Sequence, residues 1–95
     1  MNQVARALQQ VVLFVMEFLP EQVRPFLQTV ADLLGRLSPD VGDERMAKVA
    51  QLVAELLVDL RILGDIHDAD VAMRLRLIAE NRFTRAWRDL GLEGV

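Results

Sequence analysis

The sequence predicts an all-α fold, a small bundle of four helical segments that is completed by oligomerisation. Leucine and alanine, both strong helix formers, supply 26 of the 95 residues. The hydrophobic fraction is 53%, which is above that of an ordinary globular domain. Apolar residues recur every three to four positions, and no window alternates strictly as a half-buried strand would. These three observations favour packed helices over sheets.

The length of the chain predicts one helical domain, residues 1–95, because a split would leave neither half with a sufficient core. A chain this short is marginally stable unless its core is dense or it associates with another chain. The net charge of −3 argues against a general nucleic-acid binder. The absence of cysteine excludes disulfides and thiolate metal sites, and it fits the cytoplasmic location that we expect.

The first helical segment covers residues 3–19 and ends there because Pro20 disfavours helical geometry in the residue before it. Two apolar faces lie side by side on this segment, and a helix with so wide an apolar arc is usually buried on more than one side. The first face consists of Val4, Leu8, Val11, Val15 and Phe18. The neighbouring face consists of Ala5, Val12, Met16 and Leu19.

The second segment covers residues 21–37, with Pro25 tolerated in its first turn. Its apolar residues recur every three to four positions between Val23 and Leu37. The first two segments are either one kinked helix or two helices, and Pro20 favours a break between them.

The third segment covers residues 43–63, after a turn-rich loop at 38–43, and Gly64 is placed to end it. Asp40 or Asp43 is expected to cap its N-terminus. Leucine, valine and methionine follow a spacing near 3.5 residues, which is typical of a helix-packing seam. The seam consists of Met46, Val49, Val53, Leu56, Leu60 and Leu63, and Leu52, Val58 and Ile62 widen it.

The fourth segment covers residues 70–90, stops at Gly91 and is expected to form an antiparallel hairpin with the third. A turn near Ile66 would place Asp59 opposite Arg74 and Glu44 opposite Arg88. Phe83 and Trp87 are expected at the margin of the inward face. The predicted inward residues are Val71, Ala72, Leu75, Ile78, Ala79, Ala86 and Leu90.

The acidic connection at residues 64–70 superficially resembles a calcium loop, but its spacing fails. An EF-hand needs glycine at position six and glutamate at position twelve, and neither register supplies them. Its aspartates are better explained as helix caps. His67 is the only histidine and Ser38 the only serine, and no phosphate-binding glycine loop is present. We therefore expect no metal, no cofactor and no catalytic activity.

Surplus apolar surface predicts the function, a protein–protein interaction or assembly module that self-associates, most simply as a dimer. Residues 11–16 are six consecutive apolar residues, so some must lie off any single inward face. This run is too short for a membrane span, and no cleavage site follows it, so we expect the mature chain to start at Met1. The predicted interface consists of Leu8, Val11, Val12, Val15 and Leu19 in the first segment and Leu52, Leu56, Val58 and Ile62 in the third.

Two other functions stay open at this point. An accessory subunit or adaptor that docks on a larger complex would show the same apolar pattern. A nucleic-acid-binding regulator could use Arg82, Arg85 and Arg88 of the fourth segment. Recognition helices contact bases mainly through their N-terminal residues, which here include Asp68 and Asp70, so nucleic acid is the less favoured partner.

Overall fold

Four α-helices follow one another along the chain with short connections. The computed structural model describes residues 2–92. The elements are α1 (Gln3–Met16), a 3₁₀ turn (Glu21–Val23), α2 (Arg24–Gly35), α3 (Asp43–Leu63) and α4 (Ala69–Asp89). No residue within 2–92 belongs to a strand. The predicted all-α class is confirmed.

Helix α1 begins at a side-chain cap and ends before the predicted proline. The Asn2 side chain accepts a hydrogen bond from the Ala5 N–H (3.1 Å) and donates one to the Ser38 carbonyl (3.2 Å). The α-helix ends at Met16, three residues earlier than predicted, because the N–H groups of residues 17–19 bond to carbonyls three residues back. Pro20 is extended (φ −55°, ψ 144°), so the predicted break between the first two segments is confirmed.

Helices α1 and α2 pack closely against each other. Pro25 lies in the first turn of α2, as predicted. The Gln9 side chain of α1 donates a hydrogen bond to the Ala31 carbonyl of α2 (2.9 Å). A Cβ atom at Gly35 would lie 2.6 Å from the Gln9 Nε2 atom, so the helices approach closely at this point. Residues of the predicted apolar repeat are buried, namely Val23, Leu27, Val30, Leu34 and Leu37.

Helix α3 has the predicted bounds, but its N-cap is Gly42 rather than an aspartate. Asp43 is itself the first helical residue, so its side chain is placed to interact with the positive helix end rather than to cap it. Gly64 follows the last residue of the helix, as predicted. The predicted seam lies in the core, at Met46, Val49, Val53, Leu56, Leu60 and Leu63.

Helix α4 is rotated relative to the prediction. Asp68 caps it by accepting hydrogen bonds from the N–H groups of Asp70 and Val71 (2.9 and 3.1 Å), and Gly91 ends it in the left-handed region (φ +65°). The expected marginal residues Phe83 and Trp87 are instead buried, while the expected inward residues Val71, Leu75 and Ile78 are exposed.

An aromatic cluster explains this rotation. The Phe83 ring packs edge-on against Phe26 of α2, with centroids 5.8 Å apart, and stacks on Trp87 at 5.7 Å. Burying two large rings removes more apolar surface from water than burying smaller aliphatic side chains would. The face of α4 that carries Phe83 and Trp87 is therefore the one that packs against the core.

The pairing of α3 with α4 is antiparallel, but its register differs from the expected one. Asp59 forms an ion pair with Arg82, not with Arg74. Leu63, the last residue of α3, lines the same cleft as Arg76, seven residues after the start of α4. The first two turns of α4 consequently extend past the end of α3.

Candidate interaction surfaces

The outer side of α1 carries an apolar stripe that the rest of the chain does not cover. Its members follow one another at intervals of three, four, three and four residues, which places them on one side of the helix. The large members are half to nearly three-quarters exposed: 47% for Val4 and Val11, 66% for Phe14 and 72% for Phe18. This outer stripe consists of Val4, Ala7, Val11, Phe14 and Phe18.

The two aromatic side chains of the outer stripe contact each other. The ring centroids of Phe14 and Phe18 lie 5.3 Å apart, with the rings tilted by 56°. Phe18 belongs to the turn after α1, so this contact continues the stripe beyond the helix end at Met16. The result is a continuous apolar strip at the carboxyl end of the helix.

The borders of the outer stripe differ in polarity. Gln3, Gln10 and Glu17 are exposed along one border and repeat every seven residues. Leu8 and Val15 lie along the other border, partly buried against the core. A helix with an exposed 3.5-residue apolar spacing and a polar border has the pattern of one strand of a coiled coil.

The predicted interface residues of α1 fall into three environments. Val11 is exposed on the outer stripe, and Leu8 and Val15 are partly buried beside it. Val12 and Leu19 lie in the core of the chain itself, which removes them from any surface that a partner could contact. Their place on the interface was wrong because both side chains are covered by the chain's own core.

The predicted interface residues of α3 are divided in the same way. Leu56 is buried in the core, and Leu52 is partly buried, lining one cavity with Ala86 of α4. Both residues therefore serve packing within the chain. Val58 and Ile62 are exposed one helical turn apart and form a smaller apolar surface.

A third apolar surface lies on the part of α4 that extends past α3. Its exposed residues are arranged around the helix rather than along one side, so they form no seam for a single partner helix. These residues are Val71, Met73, Leu75, Leu77 and Ile78.

The arginines of α4 were predicted as a possible partner-binding group. Arg82 is paired with Asp59, the one ion pair found within residues 2–92. Arg85 and Arg88 are exposed, and Arg88 does not meet Glu44 as expected. The acidic side of α3 thus neutralises one of the three arginines.

A large cleft lies where Pro20, the end of α3 and the start of α4 meet, with a volume of about 580 Å³. The Arg76 guanidinium lines this cleft and donates a hydrogen bond to the Gln22 carbonyl (3.2 Å). Burial raises the pKa of the nearby Glu80 carboxyl, and the positive charge of Arg76 partly opposes that rise. The cleft is lined mostly by apolar residues, and its charged or titratable lining residues are His67, Asp70 and Arg76.

The described residues supply no group of three or more acidic or histidine side chains positioned to hold a metal ion. No helix among them combines the length and apolar character that crossing a membrane requires. No protein-family model matches the chain, and neither a curated protein nor a solved structure does.

Sequence reasoning left four residues of the outer stripe, Val4, Ala7, Phe14 and Phe18, out of the predicted interface. The signal that could have found them is the strict spacing of three and four residues from Val4 to Phe18. The buried residues of α1 and the turn after it, Ala5, Val12 and Leu19, recur only every seven residues.

Proposed function

We propose that this chain is a non-catalytic assembly module that associates with a second copy of itself through the outer stripe of α1. The observation that carries the proposal is the exposure of four large apolar side chains at coiled-coil spacing along α1 and the turn that follows it. Contiguous exposed apolar surface of this kind marks interaction sites in proteins that are otherwise well packed.

The outer stripe is better suited to self-association than the other apolar surfaces. It runs along one side of α1 and the turn that follows, and Gln3, Gln10 and Glu17 give it a polar border. The exposed pair on α3, Val58 and Ile62, covers a single helical turn. A helix from a second copy can therefore contact α1 over most of its length.

The energetics favour a weak to moderate dimer. Full burial of a Val or Phe side chain stabilises by about 1.5–3 kcal/mol, and these side chains are already partly covered. Association also costs about 4–15 kcal/mol of translational and rotational freedom. The assembly state should therefore depend on protein concentration.

The test is the mass in solution across a hundredfold concentration range, measured by sedimentation or light scattering. We expect the mass to rise from that of a monomer to that of a dimer. Val11→Asp should remove the rise, because it places a charge in the middle of the stripe. Val15→Asp is a poorer probe, since Val15 also packs on the core.

The matched control is Gln10→Asp, which adds the same charge at the adjacent exposed position on the polar border. This variant should assemble much like the unmodified chain. A chain that stays monomeric at every concentration would contradict self-association, and an undiminished dimer in Val11→Asp would contradict the stripe as its interface.

The two alternative functions have less support. An accessory subunit would use the same stripe for a different protein, and no described feature favours that partner over a second copy. A nucleic-acid-binding regulator would use Arg85 and Arg88, which are exposed. Arg82, the third arginine of the predicted group, already forms an ion pair with Asp59. The chain as a whole is also acidic, which disfavours nucleic acid as a partner.

A further inference from the structure

We infer that two copies pair through their outer stripes in antiparallel orientation. This inference rests on the proposed function and specifies its geometry. It follows from two asymmetries of α1, one in side-chain size and one in charge.

The size of the stripe residues changes from one end of α1 to the other. Ala7 lies in the amino-terminal half, whereas Phe14 and Phe18 lie at the carboxyl end. In a parallel pair each residue meets its own copy, so Phe rings would crowd one end and two alanines would leave a gap at the other. Both defects destabilise a packed interface.

An antiparallel pair matches large residues with small ones. With Phe14 opposite Val11 of the second copy, Phe18 lies opposite Ala7 of the second copy, and two-fold symmetry repeats both layers. All four central layers then combine a ring with a smaller side chain, which fills space evenly along the interface.

The charges of α1 favour the same orientation. Arg6 lies near the amino end, Glu17 follows the carboxyl end and Glu21 comes shortly after, all exposed. A parallel pair would bring like charges and like helix-dipole ends together. An antiparallel pair brings Arg6 alongside the acidic end of the second copy. Because exposed pairs contribute only about 0–1 kcal/mol each, they select the orientation more than they strengthen the dimer.

The antiparallel arrangement also closes the assembly. An isologous two-fold contact uses the same stripe on both copies, so no outer stripe remains free for a third chain. The expected product is a dimer rather than a filament.

The experiment measures distances between spin labels, which are easy to place because the chain contains no cysteine. Gln3→Cys and Gln10→Cys are made separately, since both residues are exposed on the polar border, seven residues apart. In an antiparallel dimer the two Gln3 positions lie far apart and the two Gln10 positions lie near the symmetry axis. At about 1.5 Å per residue, the Gln3 distance should exceed the Gln10 distance by about 20 Å.

The possible distances distinguish the orientation of the pair from the existence of the pair. Equal, short distances at both positions would show a parallel dimer, which overturns the orientation and leaves the proposed function standing. A dimer by mass with no measurable coupling at either position would overturn the outer stripe as the interface, and a monomer would overturn both proposals. As a control, Val11→Asp should abolish the coupling in both labelled chains.

Discussion

Two apolar stripes run along α1 one residue apart, and their environments are opposite. Val12 and Leu19 lie in the core, whereas their chain neighbours Val11 and Phe18 are exposed. Each stripe repeats every seven residues, and both are built from similar side chains. Apolar composition alone therefore does not decide which side of a helix is buried. The position of the neighbouring helix decides it.

The two stripes of α1 are also expected to have different roles, one in the stability of the chain and the other in its assembly. The inner stripe, Ala5, Val12 and Leu19, should determine whether the chain folds. The outer stripe should determine whether folded chains associate. Substitutions at adjacent positions can therefore test the two roles independently.

The largest effect is expected at the centre of α1. Val12→Asp would bury an unpaired carboxylate in the core and should cost more than about 4 kcal/mol of unfolding free energy, enough to prevent folding. Val11→Asp places the same group in solvent and should leave the monomer folded. Circular dichroism during urea unfolding measures both. If both variants were equally unfolded, the difference in burial between the two stripes would be contradicted.

A smaller effect is expected at the carboxyl end of α1. Leu19→Ala should lower the free energy of unfolding by about 2–3 kcal/mol, because Leu19 is buried and its loss leaves a cavity. Phe18→Ala removes an exposed ring and should change it by less than about 0.5 kcal/mol. Both are best made in a Val11→Asp chain, so that dimer formation does not contribute. A larger loss of unfolding free energy in Phe18→Ala than in Leu19→Ala would contradict the structure at this end of α1.

The smallest effect concerns the polar contact beside the inner stripe. Gln9→Ala removes the hydrogen bond to the Ala31 carbonyl and should cost about 1 kcal/mol. Gln10→Ala is the natural control, since Gln10 is the exposed neighbour of the same residue type. Thermal unfolding of the two variants measures the difference between their midpoint temperatures. Equal midpoints would mean that the Gln9 contact adds nothing to the packing of α1 on α2.

Much of the fold could be predicted because its boundaries are local. Pro20 breaks the first two segments, Gly64 and Gly91 end α3 and α4, and Asp68 caps α4. Each of these residues acts through its own backbone or the next turn, so no knowledge of the rest of the chain is needed. The buried seam of α3 is also regular enough to be read from spacing.

The rotation and register of the helices could not be predicted in the same way. The inward face of α4 depends on the contact between Phe83 and Phe26, which lie far apart in the sequence. The Asp59–Arg82 pairing depends on how far the connection after Leu63 carries the chain before α4 begins. For the candidate site, the same limitation placed Val12 and Leu19 on the predicted interface and left Val4 and Phe18 out of it.

The extension of α4 past the end of α3 has a consequence for how the protein opens. The aromatic contacts of α4 involve Phe83 and Trp87 in its second half, while Val71 and Leu77 in its first half are exposed. The free energy of local unfolding is therefore unequal along this one helix. Amide protons near Val71 should exchange through partial openings, and those near Trp87 only when the bundle itself comes apart.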